Sequence, residues 1–102
     1  MPGSSKIIIT DTSCFSLLRK LDALELLNQL FSDVVTTPEI AVEFKFPLPE
    51  WVTIREVTNK GLQQEYLKFL DRGEASAIAL AAEITYDYLV LDDNDARKFA
   101  EN

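Results

Sequence analysis

Four short apolar runs punctuate the chain, and the stretches between them place leucines and other apolar residues at helical spacing. Residues 6–10 read K-I-I-I-T, continuous and β-branched. That pattern suits a strand covered on both faces, as in a parallel sheet flanked by helices. Asp11-Thr12-Ser13 breaks the run. Leu17, Leu18, Leu21 and Leu24 then form an amphipathic stripe that Leu27 and Phe31 continue. Asp22, with Glu25 three residues later, either caps a second helix inside this stretch or lies within one kinked helix. Residues 34–36 form a second short strand. Thr37 followed by Pro38 starts a helix, a capping hydroxyl before a residue whose φ suits the first turn. Pro47 and Pro49 keep that helix short. Residues 51–57 (W-V-T-I-R-E-V) alternate as a half-buried edge strand does. Leu62, Tyr66, Phe69 and Leu70 make a third helical stripe that Gly73 interrupts. From Glu74 the run E-A-S-A-I-A-L-A-A-E-I is strongly helical, with small residues that allow close packing. Residues 88–91 form another buried-type strand, ended by Asp92-Asp93-Asn94-Asp95, and residues 96–102 begin a further helix. This alternation predicts an α/β layered fold with a mainly parallel sheet, organised as one domain over residues 1–102.

Composition narrows the chemistry. With 102 residues, 47% of them apolar, the chain is long enough to bury one core and has little room for a second. Ile7-Ile8-Ile9 is too short an apolar run for a signal peptide or a membrane span. A single cysteine, Cys14, cannot close an internal disulfide, which points to a reducing cytoplasm. The absence of histidine excludes Ser-His-Asp and Cys-His mechanisms and the usual zinc sites. The three glycines, Gly3, Gly61 and Gly73, make no phosphate-binding loop. A net charge of −7 argues against a protein that coats nucleic acid by bulk charge. Any nucleic acid must be engaged locally or through bound cations.

Two buried-type strands end in aspartate, I-I-I-T-Asp11 and L-V-L-Asp92-Asp93. In an open parallel sheet, ligands bind at the carboxyl ends of the strands. Neighbouring carboxylates there repel unless a cation sits between them, and Mg²⁺ or Mn²⁺ suits an all-oxygen donor set. The plain structural reading stands beside this one: Asp11 caps the following helix and residues 93–95 form a solvated turn. Glu43 and Glu74, taken singly, read as an exposed helix residue and a first-turn glutamate favoured by the helix dipole. Cys14, without a histidine partner, reads as core packing, and so do the aromatic rings of Trp51, Tyr66, Tyr86 and Tyr88.

The order D-T-S (11–13), T-P-E-I-A-V-E (37–43), G-E-A-S-A-I-A-L-A (73–81) and L-V-L-D-D-N-D-A-R-K (89–98) resembles the PIN-domain superfamily, and within it the PIN-like proteins related to VapC toxins. The resemblance runs from about residue 7 to residue 100. It implies a three-layer α/β/α sandwich in which four acids meet in one pocket: Asp11, Glu43, Glu74 and Asp93. Asp93 is favoured over Asp92 because the superfamily aspartate comes two residues after the final strand residue, here Leu91. Glu74 departs from the more common aspartate. Ser13 matches a small polar residue that supports the first aspartate, and Asp95 matches an occasional fifth acid. The family's last strand is missing, so the chain is expected to be a short or truncated form whose strand at 88–91 has an open edge.

The resemblance implies metal-assisted hydrolysis of RNA by the toxin half of a toxin–antitoxin pair. Asp11, Glu74 and Asp93 would hold Mg²⁺ or Mn²⁺, and Glu43 would orient or deprotonate the attacking water. The implied partners are an RNA substrate, an antitoxin protein and a second copy of the chain, with no membrane. Arg97 and Lys98 could meet a substrate phosphate, although placement on a solvated helix is the better explanation. Two other readings remain. One is a catalytically silent PIN-like domain that binds a protein partner. The other is a phospho-acceptor receiver-like domain, weakened because the paired acids come near the C-terminus with no strand-end lysine after them.

Overall fold

The computed structural model describes residues 6–91. Its elements are β1 (Ile7–Thr10), α1 (Thr12–Lys20), α2 (Glu25–Leu30), β2 (Asp33–Thr36), α3 (Pro38–Phe44), β3 (Val52–Ile54), α4 (Lys60–Tyr66), α5 (Arg72–Ala81) and β4 (Tyr88–Val90). The four strands form one all-parallel sheet in the order β3-β2-β1-β4. Helices flank it, giving an α/β sandwich. Ile8, Ile9 and Thr10 are consecutive and all buried, so both faces of β1 are covered, as its unbroken apolar run requires.

The chain steps outward from β1 to β2 to β3, then returns through α4 and α5 to β4 on the far side of β1. The connections therefore diverge between β1 and β4, and the crevice at their carboxyl ends is where such sheets bind ligands. Thr10 pairs in register with Val90, so Asp11 and Leu91 are the next residues on the two strands flanking that crevice.

The leucine stripe after β1 resolves into two helices. Asp22 takes a left-handed conformation (φ 55°) that breaks them, and Leu24, not Asp22, occupies the capping position of α2. Phe15 is the buried anchor of α1, whereas Leu17 and Leu21 are 58% and 65% exposed. The third stripe also differs from expectation. α4 ends at Tyr66, and α5 starts at Arg72 with Asp71 as its cap, so Gly73 lies inside the first turn of α5 instead of separating the helices. Asp71 and Glu74 form a reciprocal capping box, the aspartate accepting from the Glu74 amide at 2.8 Å and Glu74 accepting from the Asp71 amide at 3.3 Å. Residues Ala75 to Leu80 of α5 are all buried, and the small Ala75, Ser76, Ala77 and Ala79 let the helix pack against both α3 and α4. β3 and β4 are shorter than the runs 51–57 and 88–91 that predict them.

Glu83, just past α5, fastens the loop that enters α4. Its carboxylate accepts from the Thr58 hydroxyl (2.7 Å), the Thr58 amide (3.0 Å) and the Asn59 amide (3.2 Å). These donors, the hydroxyl foremost, hold its pKa below the ordinary glutamate value, with Arg55 adding a small further pull. A depressed carboxyl pKa means that the ionised form is favoured by folding. The contribution is therefore present above the ordinary glutamate range, and it is lost as pH falls from about 4.3 through the lower folded value. Glu83→Gln is expected to flatten the acid limb of stability between pH 5 and pH 3, measured by urea midpoints. An acid limb identical to wild type would show that these hydrogen bonds do not survive in solution.

Candidate metal centre at the carboxyl edge

Because every strand points the same way, the ends of β1 and β2 and the entrances to α1 and α3 share one edge, and α5 also begins there. Three helix caps meet around it: Asp11 for α1, Thr37 for α3 and Asp71 for α5. Thr36 Oγ1 donates to the Thr10 carbonyl at 3.1 Å and ties the ends of β2 and β1 together. Thr37 Oγ1 and Ser76 Oγ lie 2.7 Å apart, joining the start of α3 to the first turns of α5, and Ser76 also donates to the Gly73 carbonyl at 2.7 Å. All four hydroxyl residues, Thr10, Thr36, Thr37 and Ser76, are fully buried. The edge thus has a buried, hydrogen-bonded floor.

Asp11 is 6% exposed, and its Oδ1 accepts from the Cys14 amide at 3.0 Å. The helix-capping role weighed from sequence is therefore real. It leaves the metal role open, since a carboxylate has further lone pairs. Ser13 is exposed on α1, and the Cys14 backbone amide donates to the aspartate. Cys14 is half-buried, not core. Burial pushes its thiol pKa up, a Thr10 hydrogen bond draws it partly back, and the Asp11 charge adds to the rise. It is a protonated thiol at neutral pH, not a nucleophile.

Glu43 reaches into the same edge from α3. Its Oε1 accepts from the hydroxyl of Thr12, the residue after Asp11. The same oxygen lies against Gly73, the residue before Glu74, where an added Cβ would stand only 2.7 Å from it. One carboxylate thereby touches the neighbours of two other candidate acids. Glu74 itself reaches back to the Asp71 amide. Asp92, Asp93 and Asp95 lie outside the described residues, as do Arg97 and Lys98.

Among the described residues, no three His, Cys, Asp or Glu side chains stand close enough together to hold an ion. Glu43 contacts the sequence neighbours of Asp11 and Glu74, but the three carboxylates do not form such a group. The donor chemistry nonetheless fits a hard cation, because the chain has no histidine, the nearby thiol is protonated and the acids offer oxygen alone. A groove of about 430 Å³ beside Asp33, Arg55 and Glu83 involves none of these acids.

Thr12 and Gly73 were not singled out from sequence as site residues. Their signal was position alone, each adjoining a candidate acid in D-T-S and G-E-A.

A family model described as a PIN domain matches residues 7–102, and the chain belongs to that family. PIN domains are generally nucleases that use divalent metals. No curated protein and no solved structure gives a significant match. No helix among the described residues is long and apolar enough to cross a membrane.

Proposed function

We propose that the chain is a Mg²⁺- or Mn²⁺-dependent endoribonuclease, related to VapC toxins and acting in the cytoplasm as the toxin half of a toxin–antitoxin pair. The observation that carries this reading is the approach of Glu43 to Thr12 and Gly73. That contact sets Glu43 against the sequence neighbours of Asp11 and Glu74 in a PIN-domain chain, which supports a shared acidic pocket. Asp11, Glu74 and Asp93 would hold the ion, and Glu43 would orient the attacking water or accept its proton. A divalent ion bound there lowers the pKa of water and stabilises charge on the phosphoryl oxygens. Local recognition through cations also accommodates the net charge of −7, which is unfavourable for bulk binding to RNA. Among the described residues β4 pairs with β1 alone, and Tyr88 is 47% exposed. Strand edges of this kind recruit another chain, which supports a homodimer or an antitoxin seated along residues 86–91.

The alternative, a silent PIN-like interaction domain, is favoured by one observation: the Glu74 carboxylate is engaged in its own helix cap. Cleavage separates the two. Single-stranded RNA is expected to be cut in Mn²⁺, spared in EDTA and spared by Asp93→Asn protein. Equal cutting by wild type and Asp93→Asn would remove the enzyme reading.

A further inference from the structure

Gly73 is puzzling as a helix residue. Its backbone φ is not positive, so nothing in its conformation demands glycine. It lies in the first turn of α5, where alanine is the better helix former. It is buried, and the space that a side chain would fill is taken by the Glu43 carboxylate. Oε1 of that group would stand 2.7 Å from an added Cβ, Cδ 3.4 Å and Oε2 3.5 Å. On its other side, the same Oε1 receives the Thr12 hydroxyl. The acid is therefore held between two helix starts, α1 offering a donor and α5 a vacancy the width of a methyl group.

We infer that Thr12 and Gly73 are positioning residues that set the Glu43 carboxylate for the attacking water. This inference rests on the nuclease reading above. A glutamate with three rotatable bonds samples many positions, and general-base catalysis demands a hydrogen-bond distance to the proton it takes. Thr12 fixes one oxygen, which leaves Oε2 as the oxygen not engaged by the threonine. Gly73 admits the carboxylate to the position where that bond forms. The two act on one group from opposite sides, so disturbing either displaces the base. The obstruction that an alanine at position 73 meets is the tip of a flexible side chain, so the carboxylate yields and the helix does not.

The test uses the whole chain. Gly73→Ala is expected to melt at or above the wild-type temperature. Its kcat on single-stranded RNA should fall at least about tenfold, with KM and calorimetric Mn²⁺ affinity within about twofold of wild type, since base catalysis is worth about 10²- to 10⁴-fold. Thr12→Val should lose kcat in the same way, and Thr12→Ser, which keeps the hydroxyl, should recover it. A second readout needs neither metal nor activity. In metal-free protein Thr12→Val should lower the melting temperature by about 2 °C or more in the wild-type background, and by nothing in the Gly73→Ala background, where the bond is already broken. Wild-type kcat in both Gly73→Ala and Thr12→Val would overturn the positioning role and leave the nuclease reading standing. A wild-type protein that neither binds Mn²⁺ nor cuts RNA would overturn the nuclease reading, and the positioning role with it, while the melting cycle would still report whether the Thr12–Glu43–Gly73 contact exists.

Discussion

Asp11→Asn is expected to leave the protein folded and to lower its metal-dependent RNA cleavage by more than about a hundredfold, the upper end of what loss of a merely supporting partner costs a metal site. The substitution separates two roles that the structure places on one side chain. Asp11 caps α1 through its bond to the Cys14 amide, and asparagine caps a helix about as well as aspartate. The cap therefore survives, while the charge and one acceptor oxygen are removed. If Asp11 is a ligand, the stabilisation that millimolar Mn²⁺ gives the wild type should shrink or vanish in the asparagine variant. Asp11→Ala supplies the contrast, because it removes both roles and should also cost about 1 kcal/mol of stability. An Asp11→Asn protein that keeps full Mn²⁺ stabilisation and full activity would show that the aspartate is a cap and nothing more.

The sheet was the most legible part of the fold, and the reason is physical. A strand buried on both faces must be apolar along its length, so K-I-I-I-T announces itself without reference to the rest of the chain. The similar run at 88–91 forms a strand that is exposed at Tyr88 and only partly buried after it. The start of α3 was equally plain, since Thr37 and Pro38 act locally and Thr37 does cap it. Which leucines are core was not legible. Leu17 and Leu21 fit a helical stripe as well as Phe15 does, and only the packing of α1 against α3 decides between them. The break between α1 and α2 depends on Asp22 adopting φ 55°, a choice that the sequence allows but does not require. At the site, the acids were legible because residue type limits what they can do. Thr12 and Gly73 were not, because their part is defined by a carboxylate from another helix, 31 positions away in the case of Thr12. Gly73 looked like a helix breaker because glycine usually is one. Here its missing side chain serves a contact instead of a turn.

Phe15→Ala is expected to be among the most destabilising single substitutions in the chain, costing about 3–5 kcal/mol. Phe15 is fully buried, and its ring lies 5.5 Å from that of Phe44, so the pair joins α1 to α3. Phe44 in turn meets Phe46 at 5.5 Å, and the Arg19 guanidinium covers Phe46 at 3.5 Å, which extends the cluster to the surface. Truncating Phe15 removes the buried end of that cluster and leaves a cavity where α1 and α3 are held together. Small domains have only about 5–15 kcal/mol of net stability, so the loss should move the urea midpoint far toward zero and lower the melting temperature by more than about 12 °C. The site should suffer as well, because α1 carries Asp11 and Thr12 at its start while α3 carries Glu43. Leu17→Ala, at a position two residues on, on the opposite side of the same helix and 58% exposed, should change stability by no more than about 0.5 kcal/mol. The two variants place the leucine stripe and the observed packing in direct opposition. A Leu17→Ala protein that loses as much stability as Phe15→Ala would mean that α1 presents its leucines to the core, and that the placement of Thr12 beside Glu43 is wrong along with it.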